Sequence, residues 1–424
     1  MSTSEPNATF FRTTGSNAPS TALSEASEVL LRFGAMMFRA GNTATRTREW
    51  IEAIARKMGL DAVSVSLSLD SITTSVRDSG DWVVAMRDIG PPAINAWRIA
   101  QLERFARTVQ TGSVPKEIAA KLVEIEATAP RYSALQIAAA VGLASGSFAF
   151  INGAAAPEMV AAGIGGAIGQ SLRSLLSHHQ FNHYGAAALS AMAASGAYVA
   201  AAALARQAGF DFAHYPAGFI ASVLFLVPGF PLIAGLFDLL QYQTVAAVTR
   251  LAYGIMILLA VALGLSLVIE VAGIDLSRQP TLELAYSLKL VLRAAASFVA
   301  GGAFAMVFNS YPRTVLTAGL VALGANSLRL GLSDMGMMLA PAAFFAALVV
   351  GLVAIVADRR FNVPRMATTV APIVIMMPGV YAFEMIVLFN HGRMIEALQA
   401  SASCGFIVGA LAMGLSTARF FSRR

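Results

Sequence analysis

Cysteine is all but missing: Cys404 is the only one in the chain. A single thiol rules out an intramolecular disulfide and any cysteine-based metal cluster, so Cys404 reads as a small apolar residue. Charge is scarce too, at 13% of residues against 57% hydrophobic, with a mean hydropathy of +0.66. That balance excludes an ordinary soluble globule and points to a polytopic α-helical membrane protein. The formal charge of +6 contains no dense basic run and no interleaved aromatic platform, so nucleic acid is not the expected partner. A phosphate-cradling glycine loop is missing, which leaves ATP drive unsupported. No nucleophile with its base and no paired acids appear, so the chain does not read as an enzyme, and no cofactor is implied. His178, His179 and His183 cluster in one loop without a local Asp, Glu or Cys to complete a metal site, and read as solvated.

What is present divides near Pro130. Residues 1 to 22 are rich in Ser and Thr, lack the basic and apolar regions of a signal peptide, and are expected to be a disordered tail. From Ser24 a helical period puts Ala26, Val29, Leu30, Phe33, Met36, Met37 and Ala40 on one stripe, and a second helix follows in "TREWIEAIARKMG". In "AVSVSLSL", Val63, Val65, Leu67 and Leu69 alternate with serines, the pattern of a strand with one buried face. "ITTSVRDSGDWVVAMRDI" predicts a hairpin turning at Asp78 to Asp81, and two amphipathic helices follow at about 95 to 110 and 115 to 128. Residues 23 to 130 therefore read as a small soluble α+β domain on the cytoplasmic side.

Windows of about twenty apolar residues predict ten membrane helices after Arg131: 133 to 156, 157 to 177, 185 to 207, 215 to 239, 245 to 271, 283 to 308, 312 to 332, 337 to 357, 366 to 388 and 395 to 418. With the α+β domain inside, the inner loops receive Arg173, Arg250, Arg313, Arg359, Arg360, Arg365, Arg419, Arg423 and Arg424. The outer side receives Arg206, Arg278, Arg329 and Arg393. This bias predicts a multi-pass protein of the cytoplasmic (inner) membrane with both termini in the cytoplasm.

One span is interrupted. "LVPGFPLIAGLFDLL" sets Pro228, Gly229 and Pro231 inside an apolar run. Proline removes a backbone donor and clashes with the preceding turn, so such a break is either a packing kink or a site. Pro228-Gly229 recurs 150 residues on as Pro378-Gly379, and "AVALGLS" at 260 to 266 recurs as "ALAMGLS" at 410 to 416. Upstream the spacing is 156: Phe148-Ala149 matches Phe304-Ala305, Ala162-Gly163 matches Ala318-Gly319, and "QSLR" ending at Arg173 matches "NSLR" ending at Arg329. The membrane part thus reads as two repeats, 131 to 272 and 273 to 424, of five helices each. An odd number of helices makes the second repeat enter from the opposite side, and a 5+5 inverted repeat is a transporter architecture. Both Pro-Gly pairs then fall near the centres of the fourth and ninth helices, where such folds expose backbone and half-helix ends to a substrate.

Two independent segments carry a family resemblance. "LVPGFPLIAGLFDLLQYQTVAAVTRLAYG" resembles the Pro-Gly-x-Pro segment, with an aspartate shortly after, of the threonine/serine exporter family. "LLRFGAMMFRAGNTATRTREWIEAIARKMGL" with "VSVSLSLDSITTSVRD" resembles that family's soluble N-terminal domain. The likeness implies a cytoplasmic-membrane exporter of small polar metabolites driven by an ion gradient, of the kind whose relatives split the two repeats between chains, some of them associated with dicarboxylates. "GNTATRT" at 41 to 47 departs from the family's Gly-Ala and Arg-Val pairs, and Tyr381 stands where the first repeat has Pro231.

Within this frame, secondary export of a threonine- or serine-like amino acid is the expected function, with dicarboxylate export or a membrane-bound sensor or scaffold as alternatives. The substrate is expected between Pro228-Gly229 and Pro378-Gly379. Ionisable groups inside a bilayer are costly, so each is a site candidate. Glu384, five residues past Gly379, is the foremost candidate for proton coupling, since a membrane carboxyl can take up a proton on one side and release it on the other. Lys289 and Arg293, one helical turn apart, could pair with Glu384 or hold a substrate carboxylate, or else snorkel to headgroups. Asp238 is a second coupling candidate near the cytoplasmic end of the fourth helix, with an exposed loop carboxylate as the plainer reading. Gln170 and Asn326 hold equivalent repeat positions and could meet substrate or bond between helices. Arg173 and Arg329, near helix ends, read as membrane anchors. The partners implied are a small molecule and the lipid bilayer, with homo-oligomerisation left open.

Overall fold

The computed structural model describes residues 9–11, 21–68, 70–90, 93–210, 216–273, 284–361, 363 and 365–421. Leu69, Arg278, Arg423, Arg424 and most of the expected tail lie outside these residues. The chain forms two compact units: Met1–Pro130 together with Ala234–Arg250, and Arg131–Ile233 together with Leu251–Arg424.

The first unit is a four-stranded antiparallel sheet with helices on it. Its elements run β1 (Thr9–Phe11), α1 (Thr21–Arg39), α2 (Ala44–Lys57), β2 (Ala62–Leu67), β3 (Ser71–Asp78), β4 (Asp81–Asp88), α3 (Ala96–Thr108) and α4 (Pro115–Ala127), with sheet order β1-β4-β3-β2. β1 falls inside the segment read as a tail: Thr-Phe-Phe suits a strand, and it pairs with the open edge of β4. The hairpin turn has Ser79 at φ 50° and Gly80 at φ 92° between the closing pair Asp78 and Asp81. Two left-handed residues in a two-residue loop match the twist of the strands they join. The stripe of α1 from Ala26 to Met37 is buried, as are Ala40, Val65 and Leu67. Close approach explains Gly34, where a Cβ would sit 2.5 Å from the Ile72 side chain and 2.7 Å from that of Ile51. Ala246 joins this core from the Ala234–Arg250 segment.

The second unit is helical. Its elements are α5 (Ala134–Ile151), α6 (Ala156–His178), α7 (His183–Gln207), α8 (Pro216–Ala221), a 3-10 turn (Leu224–Leu226), α9 (Gly229–Leu240), α10 (Thr244–Ala272), α11 (Tyr286–Val307), α12 (Pro312–Asp334), α13 (Leu339–Phe361), α14 (Arg365–Ile375), α15 (Gly379–Asn390) and α16 (Met394–Phe420), of which α9 and α10 also contribute Ala234–Arg250 to the first unit. Among the described residues seven helices are long and apolar enough to span a membrane, or nine if each of two bent pairs counts as one span. The sequence predicts ten. The difference is α6, which has 23 residues but whose glycines, Gln170 and Arg173 dilute its apolar character.

Local geometry repeats along this unit at the sequence offsets. Left-handed residues that end helices recur 156 residues apart as Gly153 and Asn309, again 156 apart as Gln180 and Gly336, and 150 apart as Tyr242 and Gly392. The closing hydrogen bonds match as well: Ala154 N–H donates to Ala149 O at 2.9 Å and Ser310 N–H to Ala305 O at 3.0 Å. α5 packs on α6 and α11 on α12, and α5 meets α11, where Phe148 and Phe304 stack edge to face at 5.8 Å between ring centroids.

Candidate substrate site at the two helix breaks

Each Pro-Gly pair stands at a bend. The helix axes turn by 61° between Ala217–Leu226 and Gly229–Leu240, and by 43° between Thr368–Ile375 and Gly379–Phe389. The cause is local. Pro228 and Pro378 have no N–H to continue the ladder, and the residue before a proline is driven out of the helical region; Val227 adopts φ −58°, ψ 123°. The bonds around the two breaks then correspond one to one. Val227 N–H donates to Leu224 O (3.1 Å) and Gly229 N–H to Val227 O (2.8 Å); Met377 N–H donates to Val374 O (3.2 Å) and Gly379 N–H to Met377 O (2.9 Å).

The two breaks lie against each other. A Cβ on Gly229 would meet Met377 Cγ at 3.1 Å and Val374 Cγ2 at 3.5 Å, while one on Gly379 would meet Leu224 Cδ2 at 2.6 Å and Val227 Cγ2 at 3.1 Å. Met377 and Val374 are the repeat counterparts of Val227 and Leu224, so the contact is reciprocal. Pro228, Gly229, Pro378 and Gly379 are all buried. The two breaks therefore meet through apolar side chains, Leu224 and Val227 of one against Gly379, and Val374 and Met377 of the other against Gly229.

The ionisable candidates distribute as follows. Arg293 donates from Nη1 to both carboxylate oxygens of Asp334, at 2.9 and 3.2 Å, rather than to Glu384. Glu384 is half-buried on α15, and neither it nor Lys289 has a side-chain hydrogen bond or ion pair among the described residues. Asn326 is fully buried, donates from Nδ2 to Ser297 Oγ at 2.8 Å, and accepts from Arg329 Nε at 2.9 Å. Gln170, its counterpart, is 9% exposed and donates to Ser174 Oγ at 3.1 Å, leaving Oε1 without a hydrogen-bond partner among the described residues. Arg173 is exposed and interacts electrostatically with Tyr253.

Asp238 departs from the loop reading. It is fully buried within the first unit, ion-paired to Arg250 at 3.2 Å, and accepts the backbone N–H of Ala44 on Oδ1 at 2.9 Å. Sequence spacing alone gives Arg250 no role beyond its inner-loop charge. The available signal was the sequence itself, an Asp and an Arg flanking one short turn in an apolar hairpin. Glu158 was missed as well: it is 1% exposed, accepts the Ala155 N–H, and interacts with Tyr198. Among the described residues no group of three metal-ligating side chains occurs.

An α+β unit and, among the described residues, seven unbroken apolar spans with two bent pairs packed break to break define a multi-pass membrane protein of transporter type. The chain belongs to the threonine/serine exporter family: the family model "Putative threonine/serine exporter" matches residues 28–272, and a second model, "Threonine/Serine exporter, ThrE", matches residues 293–421. It is 25% identical over 412 residues to a "Probable threonine/serine exporter" of Mycobacterium tuberculosis, covering 91% of this chain and 74% of that protein. It is 24% identical over 407 residues to a "Threonine/serine exporter" of Corynebacterium glutamicum, covering 93% of this chain and 81% of that protein. A Haemophilus influenzae "Uncharacterized protein" is 27% identical over 139 residues, 31% of this chain and 47% of the relative. No solved structure matches.

Proposed function

We propose that this chain is a secondary active exporter of small polar amino acids of the threonine/serine type across the cytoplasmic membrane, built as a 5+5 inverted repeat with both termini in the cytoplasm. The observation that carries the reading is the reciprocal packing of Gly229 on Met377 and Val374 and of Gly379 on Val227 and Leu224. Contacts in which i meets j′ and i′ meets j arise when two copies are related by a two-fold axis. The stacking of the counterparts Phe148 and Phe304 on each other supports the same axis, since equivalent residues touch only close to it. Five helices per copy put that axis in the membrane plane, the arrangement in which a site at the repeat interface opens alternately to either side.

A zwitterion beside the breaks would offer its ammonium or hydroxyl to freed carbonyls there. Glu384 is the proposed proton carrier, as a membrane carboxyl without an ionic partner among the described residues. The test is counterflow in proteoliposomes with labelled threonine, serine and dicarboxylates. Exchange of threonine or serine is expected. Exchange of dicarboxylates alone would reassign the substrate, and no exchange of any would favour a sensor or scaffold.

A further inference from the structure

Arg293 and Arg329 stand on the packed pair α11 and α12, and their surroundings differ. Arg293 is neutralised by Asp334. Arg329 has no carboxylate partner among the described residues, and only its Nε is engaged, donating to Asn326 Oδ1 at 2.9 Å. Asn326 is held in turn. Its Nδ2 donates to Ser297 Oγ at 2.8 Å, and Ser297 Oγ donates to the carbonyl of Arg293 at 2.7 Å. Both ends of the fully buried amide are therefore committed, and the plane of the guanidinium is set by it. The outer edge of the fork, Nη1 and Nη2, has no hydrogen-bond or ion-pair partner among the described residues. Tyr381, two residues past Gly379, interacts electrostatically with Arg329.

A snorkelling arginine needs a free stem to carry its head to the lipid headgroups. Tying Nε to a buried asparagine removes that freedom. The counterpart Arg173 lacks the tie, because Gln170 bonds Ser174 instead, and Arg173 is exposed. Five donors in a fixed fork match a carboxylate through two parallel bonds, and a half-buried guanidinium without an anion is costly inside a membrane.

We propose that Arg329 is the carboxylate anchor of the transported solute, gripping it through Nη1 and Nη2 with Asn326 as its positioning residue and Tyr381 beside it. This rests on the exporter reading and makes it asymmetric, since one repeat supplies the anion site. The probes are threonine and threoninamide, which differ at the carboxylate, titrated against the purified full chain in detergent by calorimetry. Wild type is expected to bind threonine and to discriminate against the amide. Arg329→Gln should weaken threonine about ten-fold or more and abolish the discrimination, as expected for loss of a charge-assisted pair. Arg329→Lys should fall between, keeping charge without the fork, and serves as the comparison if the glutamine variant is not monodisperse. Arg173→Gln should bind as wild type does. Unchanged threonine affinity in a folded Arg329 variant, equal binding of acid and amide by wild type, or no threonine binding at all would overturn the anchor. Thermal stabilisation by anionic lipid but not by threonine, lost in Arg329→Gln, would assign the fork to a headgroup and overturn it too. Threonine binding that depends on Arg329 without counterflow would leave the anchor standing and remove the exporter reading.

Discussion

Asp238 and Arg250 form an ion pair at 3.2 Å whose side chains are 0% and 3% exposed. Around it, Arg250 Nη2 donates to the carbonyl of Asn42 at 2.5 Å, its guanidinium lies 4.2 Å from the centre of the Phe38 ring, and Asp238 accepts the Ala44 amide at the start of α2. Arg48 adds a bond to Gln243 at 2.9 Å. The turn between α9 and α10 is thus stitched to the first turn of α2 by buried charge.

Removing one partner of such a pair leaves the other uncompensated. Asp238→Ala or Arg250→Ala is expected to destabilise the first unit by about 3–5 kcal/mol, whereas the double replacement Asp238→Leu with Arg250→Met should cost much less than the sum. Thermal unfolding of the full chain in detergent checks this. Additive losses would mean that the two side chains act independently.

The departure segment "GNTATRT" gains a physical account from the same cluster. Asn42 offers its carbonyl to Arg250, Thr43 caps α2 by accepting from the Arg46 N–H at 3.3 Å, and Ala44 donates to Asp238. The backbone makes two of those bonds, so side-chain identity could not foretell them. Period and turn chemistry foretold the stripe of α1, the alternation of β2 and the Ser79-Gly80 turn, but not that Ala234–Arg250, read as parts of two membrane helices, belongs to the first unit. β1 escaped because three residues are too short a run to carry a period. In the membrane unit the Pro-Gly breaks were legible because proline acts on its own backbone. The partners of Arg293 and Asp238 were not, because a side chain's partner is fixed by helix packing, which sets Arg293 on α11 against Asp334 on the neighbouring α12.

The two break glycines should not tolerate a methyl group equally. At Gly229 the nearest neighbour is the flexible Met377 side chain at 3.1 Å, whereas at Gly379 it is Leu224 Cδ2 at 2.6 Å, on a residue only 7% exposed. Gly379→Ala is therefore expected to impair transport and thermal stability more than Gly229→Ala, with overpacking on the order of 1–3 kcal/mol. Adding Leu224→Ala should restore part of the loss at Gly379 and none at Gly229. Equal penalties without rescue would contradict the reciprocal packing.

Phe148 and Phe304 offer a test of the repeat axis away from the breaks. Each ring is buried and faces the other at 5.8 Å with an interplanar angle of 67°. Single truncations to alanine should cost similar amounts, and a double-mutant cycle should return a coupling of about 0.5–1.5 kcal/mol, the range for edge-to-face pairs. A coupling near zero would separate the two rings.

Glu384 carries the prediction about energy coupling. It is half-buried on α15, one turn beyond Tyr381, with which it interacts electrostatically, and its carboxylate has no ion pair among the described residues. An unpaired carboxyl in a low-dielectric surrounding changes its protonation readily when water or a cation approaches, which is what a proton carrier requires. Glutamine keeps the shape and the hydrogen-bonding capacity but cannot titrate. Glu384→Gln should therefore fold, bind substrate and exchange it across the membrane when no gradient is imposed, while failing to move it uphill when one is. Proteoliposomes loaded with labelled threonine at two internal pH values separate these behaviours. Wild type should accumulate substrate in the direction the proton gradient dictates, and the variant should only equilibrate it. Uphill movement at the wild-type rate in Glu384→Gln would remove Glu384 from coupling, and loss of exchange together with uphill transport would move it into substrate binding instead.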